Sequence, residues 1–304
     1  MILSLGEVLV EIMRPERDLP LSQTGTFQGP FASGAPLIFA CAAARLGAEV
    51  GFYGVAGKDA FAETCQRHLE SCGISTPLRI APGYTTGMAF VAYDSSGERQ
   101  FVFHLAQAAA ALLEPDDLPQ SLDRVHWLHI TGSSLCGSDS MREACLSAVA
   151  KAQQINATIS FDPNLRPELM GNPAIQDAFS TVLEAATVIL PSAKEAEFLV
   201  QGKSSEEACS LLMREGKAVF LKLGERGSKL FVDGKVTDIP TIRVSEVDPT
   251  GAGDCFAGGL AVAHLRGMDW PQAARFASVV GALSTTKLGP AEACPTLAEV
   301  ESYL

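Results

Sequence analysis

The chain has 304 residues, of which 47% are hydrophobic and 19% charged, with a mean hydropathy of +0.18. This composition supports a large buried core, and we expect a single α/β domain over residues 1–304 because no clear linker or internal repeat interrupts it. The net charge of −12 and the pI of about 4.9 argue against nucleic acid or an anionic membrane as the main partner.

The first residues lack a basic region, and Glu7 and Glu11 interrupt the apolar run, so a first strand is expected here and not a signal peptide. No run of 18 apolar residues predicts a membrane span. The eight cysteines form no C-x-x-C pair and lie mostly in apolar surroundings. We therefore expect reduced, buried thiols in a cytoplasmic protein, and no metal cluster.

Strand-like and helix-like segments alternate along most of the chain, which predicts parallel βαβ units with helices on both faces of a sheet. The predicted strands are Ile2–Ile12, Val50–Val55, Val125–Thr131, Thr158–Asp162, Val188–Pro191 and Ala218–Lys222. The predicted helices are Ala35–Leu46, Ala60–Cys72, Ser140–Gln154, Ala174–Ala186, Glu195–Gln201 and Ser205–Glu215, with two more after Gly253 and Pro271.

One region breaks this alternation. Gly87–Tyr93 and Arg99–His104 are β-like runs joined by a polar, glycine-containing turn, which predicts a hairpin. With Leu9–Met13 and a segment near Phe27 they form a small predicted sheet, assigned to residues near 9–30 and 86–105. Such a sheet is expected to act as a lid over the carboxyl ends of the parallel strands, where open α/β sheets bind ligands.

The run Asp248-Pro249-Thr250-Gly251-Ala252-Gly253-Asp254 carries the most chemical information. It opens an apolar segment of helical length, so its backbone N–H groups lie at a helix N-terminus, where an anion is favoured. Asp254 beside such a site suggests a base that accepts a proton from an attacking hydroxyl, which points to phosphoryl transfer to an alcohol. The alternative is an ordinary first-turn Asp after a glycine turn.

Two common nucleotide-binding motifs are absent from the sequence. The first strand carries only Gly6 and no G-x-G-x-x-G turn, and Gly57-Lys58 is followed by Asp59 instead of Ser or Thr. These absences count against a Rossmann dehydrogenase and a P-loop nucleoside triphosphatase.

Six motifs, taken in order, resemble the ribokinase-like, or PfkB, family of carbohydrate kinases over essentially the whole chain. They are Ser33–Pro36 leading to Gly47, Gly54–Asp59, Phe161–Arg166, Pro191–Glu195, Lys222–Gly227 and Asp248–Gly259. The resemblance implies a doubly wound, mainly parallel α/β domain with a small β-sheet lid. Tagatose, fructose and 2-keto-3-deoxygluconate kinases are the members that look most similar.

The resemblance also implies roles for the Asp248–Asp254 run. Asp254 would be the catalytic base, and the N–H groups of Gly251, Ala252 and Gly253 would hold the transferred phosphoryl group. Asp248 and Thr250, with Gly289, match a monovalent-cation site of several relatives, so K⁺ joins ATP and Mg²⁺ as an expected ligand.

Nucleotide and magnesium contacts follow from the other motifs. The resemblance implies that Lys222, Gly224, Gly227, Thr250 and Ser278 bind the nucleotide. Glu195 matches the glutamate of an Asn-x-x-Glu element that organises Mg²⁺ through water, although Ser192 stands at the Asn position. The alternatives are a hairpin turn for the two glycines, close helix packing for Ser278 and a helix-start acid for Glu195.

The expected sugar contacts are Glu11, Gly34, Ala35, His104, Asn164 and Arg166. Ile38 replaces an Asn that often touches sugar, which suggests an altered pocket. In 2-keto-3-deoxygluconate kinases, Tyr and Arg near the positions of Phe103 and His104 contact the keto-acid. This chain lacks them there, so a neutral ketohexose is favoured. That keto-acid, a nucleoside and a non-catalytic sugar-sensing role stay open. The apolar lid also suggests a homodimer.

Overall fold

The computed structural model describes residues 1–95, 99–165, 169–214 and 216–304. The strands are β1 (Ile2–Leu5), β2 (Leu9–Met13), β3 (Gln28–Ser33), β4 (Val50–Tyr53), β5 (Val55–Gly57), β6 (Arg79–Ala81), β7 (Gly87–Tyr93), β8 (Arg99–His104), β9 (Trp127–Thr131), β10 (Thr158–Asp162), β11 (Val188–Ile189), β12 (Ala218–Lys222), β13 (Ser228–Val232) and β14 (Lys235–Ile239). The helices are α1 (Ala35–Arg45), α2 (Ala60–Ser71), α3 (Gly132–Gly137), α4 (Asp139–Gln154), α5 (Pro173–Ala185), α6 (Ala193–Leu199), α7 (Ser205–Met213), α8 (Ala252–Leu265), α9 (Trp270–Ser284) and α10 (Leu297–Glu301).

The largest sheet has eight strands in the order β14-β13-β12-β11-β10-β9-β1-β4. The strands from β12 to β4 pair in parallel, whereas β13 and β14 are antiparallel additions at one edge. The parallel strands end at one edge of the sheet, so the residues that follow them lie near one another. The expected doubly wound, mainly parallel α/β fold is confirmed.

Apolar clusters cover both faces of this sheet. One cluster contains buried residues of α1, α2, α8 and α9, and the other contains buried residues of α4, α5, α6 and α7. Phe220 of β12 points into the first cluster, whereas its neighbours Val219 and Leu221 point into the second. This alternation explains why the central strands are apolar at nearly every position.

Four strands form a separate sheet in the order β3-β2-β7-β8. β2 pairs antiparallel with β3 and parallel with β7, and β7 and β8 form the predicted hairpin. The observed bounds of β2, β7 and β8 are those predicted from the sequence.

Two predicted strands are wrong, because each predicted run forms two separate strands in the structure. The run Ile2–Ile12 divides into β1 in the large sheet and β2 in the four-stranded sheet. The break follows β1 at Gly6, whose φ of 145° is a conformation that L side chains rarely adopt. The run Val50–Val55 divides in the same way into β4 and β5, with Gly54 between them.

In the part of the chain that the structure describes, no helix is long and apolar enough to cross a membrane. All eight cysteines are free thiols, and only Cys136 is more than slightly exposed.

Candidate active site

A cavity of about 1140 Å³ lies between the carboxyl ends of the parallel strands and the four-stranded sheet. Its floor is formed by residues that end or follow β1, β9, β10, β11 and β12: Glu7, Ser133, Asp162, Asn164, Ser192 and Lys222. Its other wall carries side chains of β2, β3 and β8. The ligand site predicted from the alternation of strands and helices is therefore an actual cavity.

The N-terminus of α8 opens into this cavity. Gly251 caps the helix with a φ of 80°, and Gly251, Ala252, Gly253 and Asp254 all line the cavity. The first N–H groups of a helix have no partner within the helix, and the Ala252 N–H makes a long hydrogen bond of 3.4 Å to the Pro249 carbonyl. Asp254 is 9% exposed. A carboxylate and a set of main-chain donors thus face the same space, as expected from the sequence.

Lys222 lies at the end of β12 beside the α8 N-terminus. Its ammonium forms an ion pair with the buried Asp162 carboxylate at the end of β10. A Cβ atom on Gly253 would come within 3.3 Å of the Lys222 Nζ, so the ammonium lies close to the helix start. Burial would lower the pKa of Lys222, but Asp162 and Glu195 raise it above its ordinary value, so the side chain stays charged. The site therefore holds a fixed positive charge where an anion would bind.

Glu195 has the helix-start position of the alternative, and its predicted Mg²⁺ role stays a prediction. Its carboxylate caps α6 by accepting the Ser192 N–H at 2.7 Å, and it also accepts the Leu165 N–H at 3.3 Å. At the same time Glu195 and Ser192 line the cavity. Glu195 and the nearby Asp162 are hard oxygen donors, and Glu195 retains lone pairs that suit a hydrated Mg²⁺ ion. The residues present therefore fit Mg²⁺ held through water.

Glu11 of β2 enters the cavity from the four-stranded sheet. One carboxylate oxygen accepts the Ser33 hydroxyl at 3.1 Å, and the other is buried without a hydrogen-bond partner among the residues that the structure describes. Burial raises the pKa of Glu11 to about 7. A buried carboxyl group with an unused oxygen is suited to bind the hydroxyls of a polar ligand.

Gly34, Ala35 and Ile38 form the cavity wall at the start of α1. Gly34 has a φ of 117°, and a Cβ atom there would come within 2.4 Å of the Glu7 carbonyl oxygen. The backbone of this chain therefore requires a glycine at position 34. The sequence had suggested a different reason, namely that Gly34 leaves room for a sugar. Ile38 is buried and packs near Gly251, so this wall is apolar at the position where the resemblance implies an Asn.

Asp248 supports the loop before α8 and is not among the described residues that line the cavity. Its carboxylate accepts the Tyr93 hydroxyl at 2.9 Å and the N–H groups of Thr250 and Gly289 at 3.0 and 3.2 Å. Thr250 lines the cavity, and its hydroxyl lies 2.9 Å from the Tyr93 oxygen. Tyr93 ends β7, so this network joins the four-stranded sheet to the loop at the helix start.

The structure does not bring every predicted residue to the cavity. Gly224 and Gly227 form the turn between β12 and β13, as the hairpin alternative predicts. Ser278 of α9 is buried against β13, and its hydroxyl lies 3.5 Å from the hydroxyl of Ser228. None of the three lines the cavity in the described part of the chain. Their nucleotide contacts stay predictions. The predicted contact from Arg166 lies outside the described residues.

His104 requires a correction. Arg99, Phe101 and Phe103 of β8, followed by Leu105, line the cavity. Because side chains of a strand alternate between its two faces, His104 points to the opposite side, where its ring lies 3.0 Å from the Thr85 hydroxyl. The sequence contained a signal for this, because neighbouring side chains of a strand point to opposite faces. Phe103 and His104 therefore cannot both face the cavity.

Two charged residues of the cavity were missed by the sequence analysis. Glu7 is buried and accepts the hydroxyls of Ser133 and Ser134 at 2.7 and 2.6 Å. Arg99 enters from β8 with its guanidinium 5.7 Å from the Phe101 ring centre. The signal for Glu7 was an acid directly after a buried strand, and the signal for Arg99 was its even spacing from Phe101 and Phe103.

The family model described as pfkB family carbohydrate kinase matches residues 1–297. The chain belongs to the pfkB family of carbohydrate kinases. It is therefore a phosphotransferase with an alcohol group as acceptor.

Similar pfkB proteins include plant enzymes. A probable fructokinase-3 from Arabidopsis thaliana is 33% identical over 100% of this chain and 91% of its own length. A fructokinase from Solanum tuberosum is 31% identical over 100% of this chain and 95% of its own length.

Solved structures agree with this assignment. A putative ribokinase II from E. coli in complex with ATP and Mg²⁺ is 34% identical, with a TM-score of 0.93 and coverage of 99% of this chain and 98% of its own. A fructokinase from Vibrio cholerae, bound to fructose, ADP and calcium, is 28% identical, with a TM-score of 0.87 and coverage of 100% and 98%.

Proposed function

We propose that this pfkB kinase transfers the γ-phosphoryl group of ATP to a primary hydroxyl of a ketohexose of the fructose or tagatose type. The observation that carries the proposal is the shared cavity, in which Asp254 and the α8 N-terminus face Glu11 and the start of α1. The fructokinase names of the relatives support the same substrate class. ATP and Mg²⁺ are proposed because the similar E. coli protein binds both.

The proposed chemistry needs one proton transfer and one bond exchange. Asp254 accepts the proton of the sugar hydroxyl, the oxygen forms a bond to the γ-phosphorus, and the bond to ADP breaks. The N–H groups of Gly251, Ala252 and Gly253, with the Lys222 ammonium, stabilise the charge on the transferred group. When bound, Mg²⁺ neutralises charge on the phosphate oxygens, and Glu195 would hold it through water.

The test is ADP release with fructose, tagatose, 2-keto-3-deoxygluconate, ribose and a nucleoside as acceptors. We expect turnover with a ketohexose, and a decrease in kcat of about 10²–10⁴-fold for Asp254→Asn, because the proton acceptor is lost. Glu246→Gln is the matched control, since this exposed acid precedes the same loop. Full turnover by Asp254→Asn would remove the assigned base. Sugar binding without any ADP release would favour the sensing role.

Arg99 favours a second substrate, 2-keto-3-deoxygluconate. The guanidinium is the cationic group that β8 contributes to the cavity, and it suits a carboxylate. If the acid is the substrate, Arg99→Gln lowers its kcat/KM by about 10–100-fold, the cost of a charged hydrogen bond. The same variant should leave fructose turnover within about threefold, and Arg124→Gln, a surface arginine paired with Glu49, is the control. Equal losses of kcat/KM for 2-keto-3-deoxygluconate and for fructose would show that Arg99 does not distinguish the two substrates.

A homodimer through the four-stranded sheet is also part of the proposal. Val102 of β8 lies on the side away from the cavity and is 55% exposed, and Phe27 before β3 is 42% exposed. Large apolar side chains exposed together on a small sheet suit a protein interface. Cytoplasmic location and a monovalent cation near Asp248 stay predictions that no observation on this chain yet tests.

A further inference from the structure

Outside the cavity, three metal-binding side chains come together between α1 and α2. Cys41 lies in the middle of α1, and His68 and Cys72 lie one turn apart at the end of α2. One ligand atom of each lies within 4.8 Å of the other two. Cys41 is fully buried, Cys72 is 7% exposed, and the His68 side chain is 14% exposed. The two thiols belong to the apolar cluster formed by α1, α2, α8 and α9.

The distances are close to those of a zinc centre. In tetrahedral sites with Zn–S near 2.3 Å and Zn–N near 2.0 Å, ligand atoms lie roughly 3.5–3.8 Å apart. The Cys72 Sγ lies 3.7 Å from the His68 Nε2. The remaining separations need a contraction of about 1 Å at most, which a small rotation of a cysteine side chain provides.

The second nitrogen of His68 lies near a carboxylate. Its Nδ1 is 3.9 Å from a Glu292 carboxylate oxygen, which is longer than a hydrogen bond, whereas the Nε2 is the nitrogen near Cys72. A shift of about 1 Å would let the carboxylate accept the Nδ1 proton, and a carboxylate so placed orients the ring and makes the other nitrogen a better ligand. That same Glu292 oxygen accepts the Ala32 N–H at 2.9 Å, so the carboxylate is held in place.

Charge and location also suit a soft divalent cation. Two thiolates neutralise Zn²⁺, so a bound ion adds no net charge to a buried region. The C-terminal end of α2, where His68 and Cys72 lie, favours a cation through the helix dipole. We propose that Cys41, His68 and Cys72 form a Zn²⁺ site with a fourth position open to water, and that binding displaces the protons that these three groups hold.

The test uses the full chain, freed of metal and kept reduced with a phosphine. Zn²⁺ is titrated against a chromophoric chelator, and Co²⁺ is used separately as a spectroscopic probe. We expect one equivalent of Zn²⁺, a rise in Tm, and a thiolate-to-Co²⁺ charge-transfer band. Replacement of Cys72 by Ser should abolish the band. Glu292→Gln should weaken binding by about 10–100-fold, because it only supports the ring.

Cys65→Ser is the matched control, since Cys65 is another buried cysteine of α2 whose Sγ contacts the Leu9 carbonyl outside the cluster. It should bind Zn²⁺ as the unaltered protein does. The proposal is overturned if the unaltered protein gives no charge-transfer band with Co²⁺, or if Cys72→Ser and Cys65→Ser bind the metal equally. The Co²⁺ spectrum of the unaltered protein decides the question even if a variant fails to fold.

Discussion

At the scale of single residues, Glu11 is a cavity residue whose ionisation changes near neutral pH. Burial raises its pKa from 4.5 to about 7, so the native protein holds a proton there over a pH range in which the unfolded chain has lost it. Stability therefore falls as the pH rises through this window, and the loss is complete above about pH 7. The difference between the two pKa values corresponds to roughly 3 kcal/mol.

We predict that Glu11→Gln flattens this dependence, because the amide does not ionise. Urea unfolding of both proteins between about pH 5 and pH 8 measures it. A sugar that donates hydroxyls to the ionised carboxylate should lower the pKa of Glu11, so KM should fall as the pH rises through about 7 in the unaltered enzyme alone. Parallel stability curves for the two proteins would show that Glu11 does not titrate as described.

Sequence reasoning reached some residues of the site and missed others for identifiable reasons. The Gly251–Asp254 group was found because its chemistry is local, with donors and carboxylate in one run of chain. Arg99 was missed because its place in the cavity depends on which face of β8 it occupies, and Glu7 was missed because a position after β1 does not by itself show where the side chain points. A cluster such as Cys41, His68 and Cys72 depends on how two helices pack, which residue spacing alone does not specify.

At the scale of elements, Tyr93 joins the four-stranded sheet to the loop before α8. Its hydroxyl contacts Asp248 and Thr250, each at 2.9 Å, and both partners are buried. The hydroxyl is thus a tether between the strand pair β7–β8 and the proposed phosphoryl site. Strand alternation predicted β7 accurately, but the partner of its last side chain lies 155 residues away in the chain.

We predict that Tyr93→Phe lowers the free energy of unfolding by about 1–3 kcal/mol, because Asp248 and Thr250 lose a buried partner. It should also raise KM for the sugar more than it lowers kcat, since the base and the amides are untouched. Tyr303→Phe, an exposed position, serves as control. Unchanged stability together with unchanged KM would mean that the tether contributes nothing.

Strand bounds in the parallel sheet followed from short apolar runs, and Thr158–Asp162 and Ala218–Lys222 were predicted to the residue. Two failures were the runs Ile2–Ile12 and Val50–Val55, which are mostly apolar on both sides of the point where the chain passes from one sheet to another. Hydrophobicity reports burial, and both sheets bury these residues, so the pattern could not indicate the change.

At the scale of the whole molecule, the proposed dimer is the feature to test. We predict that Val102→Glu converts a dimer into a monomer in sedimentation velocity, because a charge in the centre of an apolar interface is costly. Val236→Glu, a comparably exposed valine of β14, should leave the dimer intact. A monomeric unaltered protein, or equal effects of both substitutions, would contradict the interface.

The burial of α8 has a consequence for turnover. Its residues from Asp254 to Ala263 are all buried, and it packs against α1 and α9, so the N-terminus of α8 cannot shift without disturbing the core. The four-stranded sheet on the other side of the cavity shares that core only in part, through residues such as Val10 and Ala32, while Arg99 and Phe103 of β8 face the cavity. If this sheet acts as the predicted lid, we expect its opening to limit turnover more than the chemical step does.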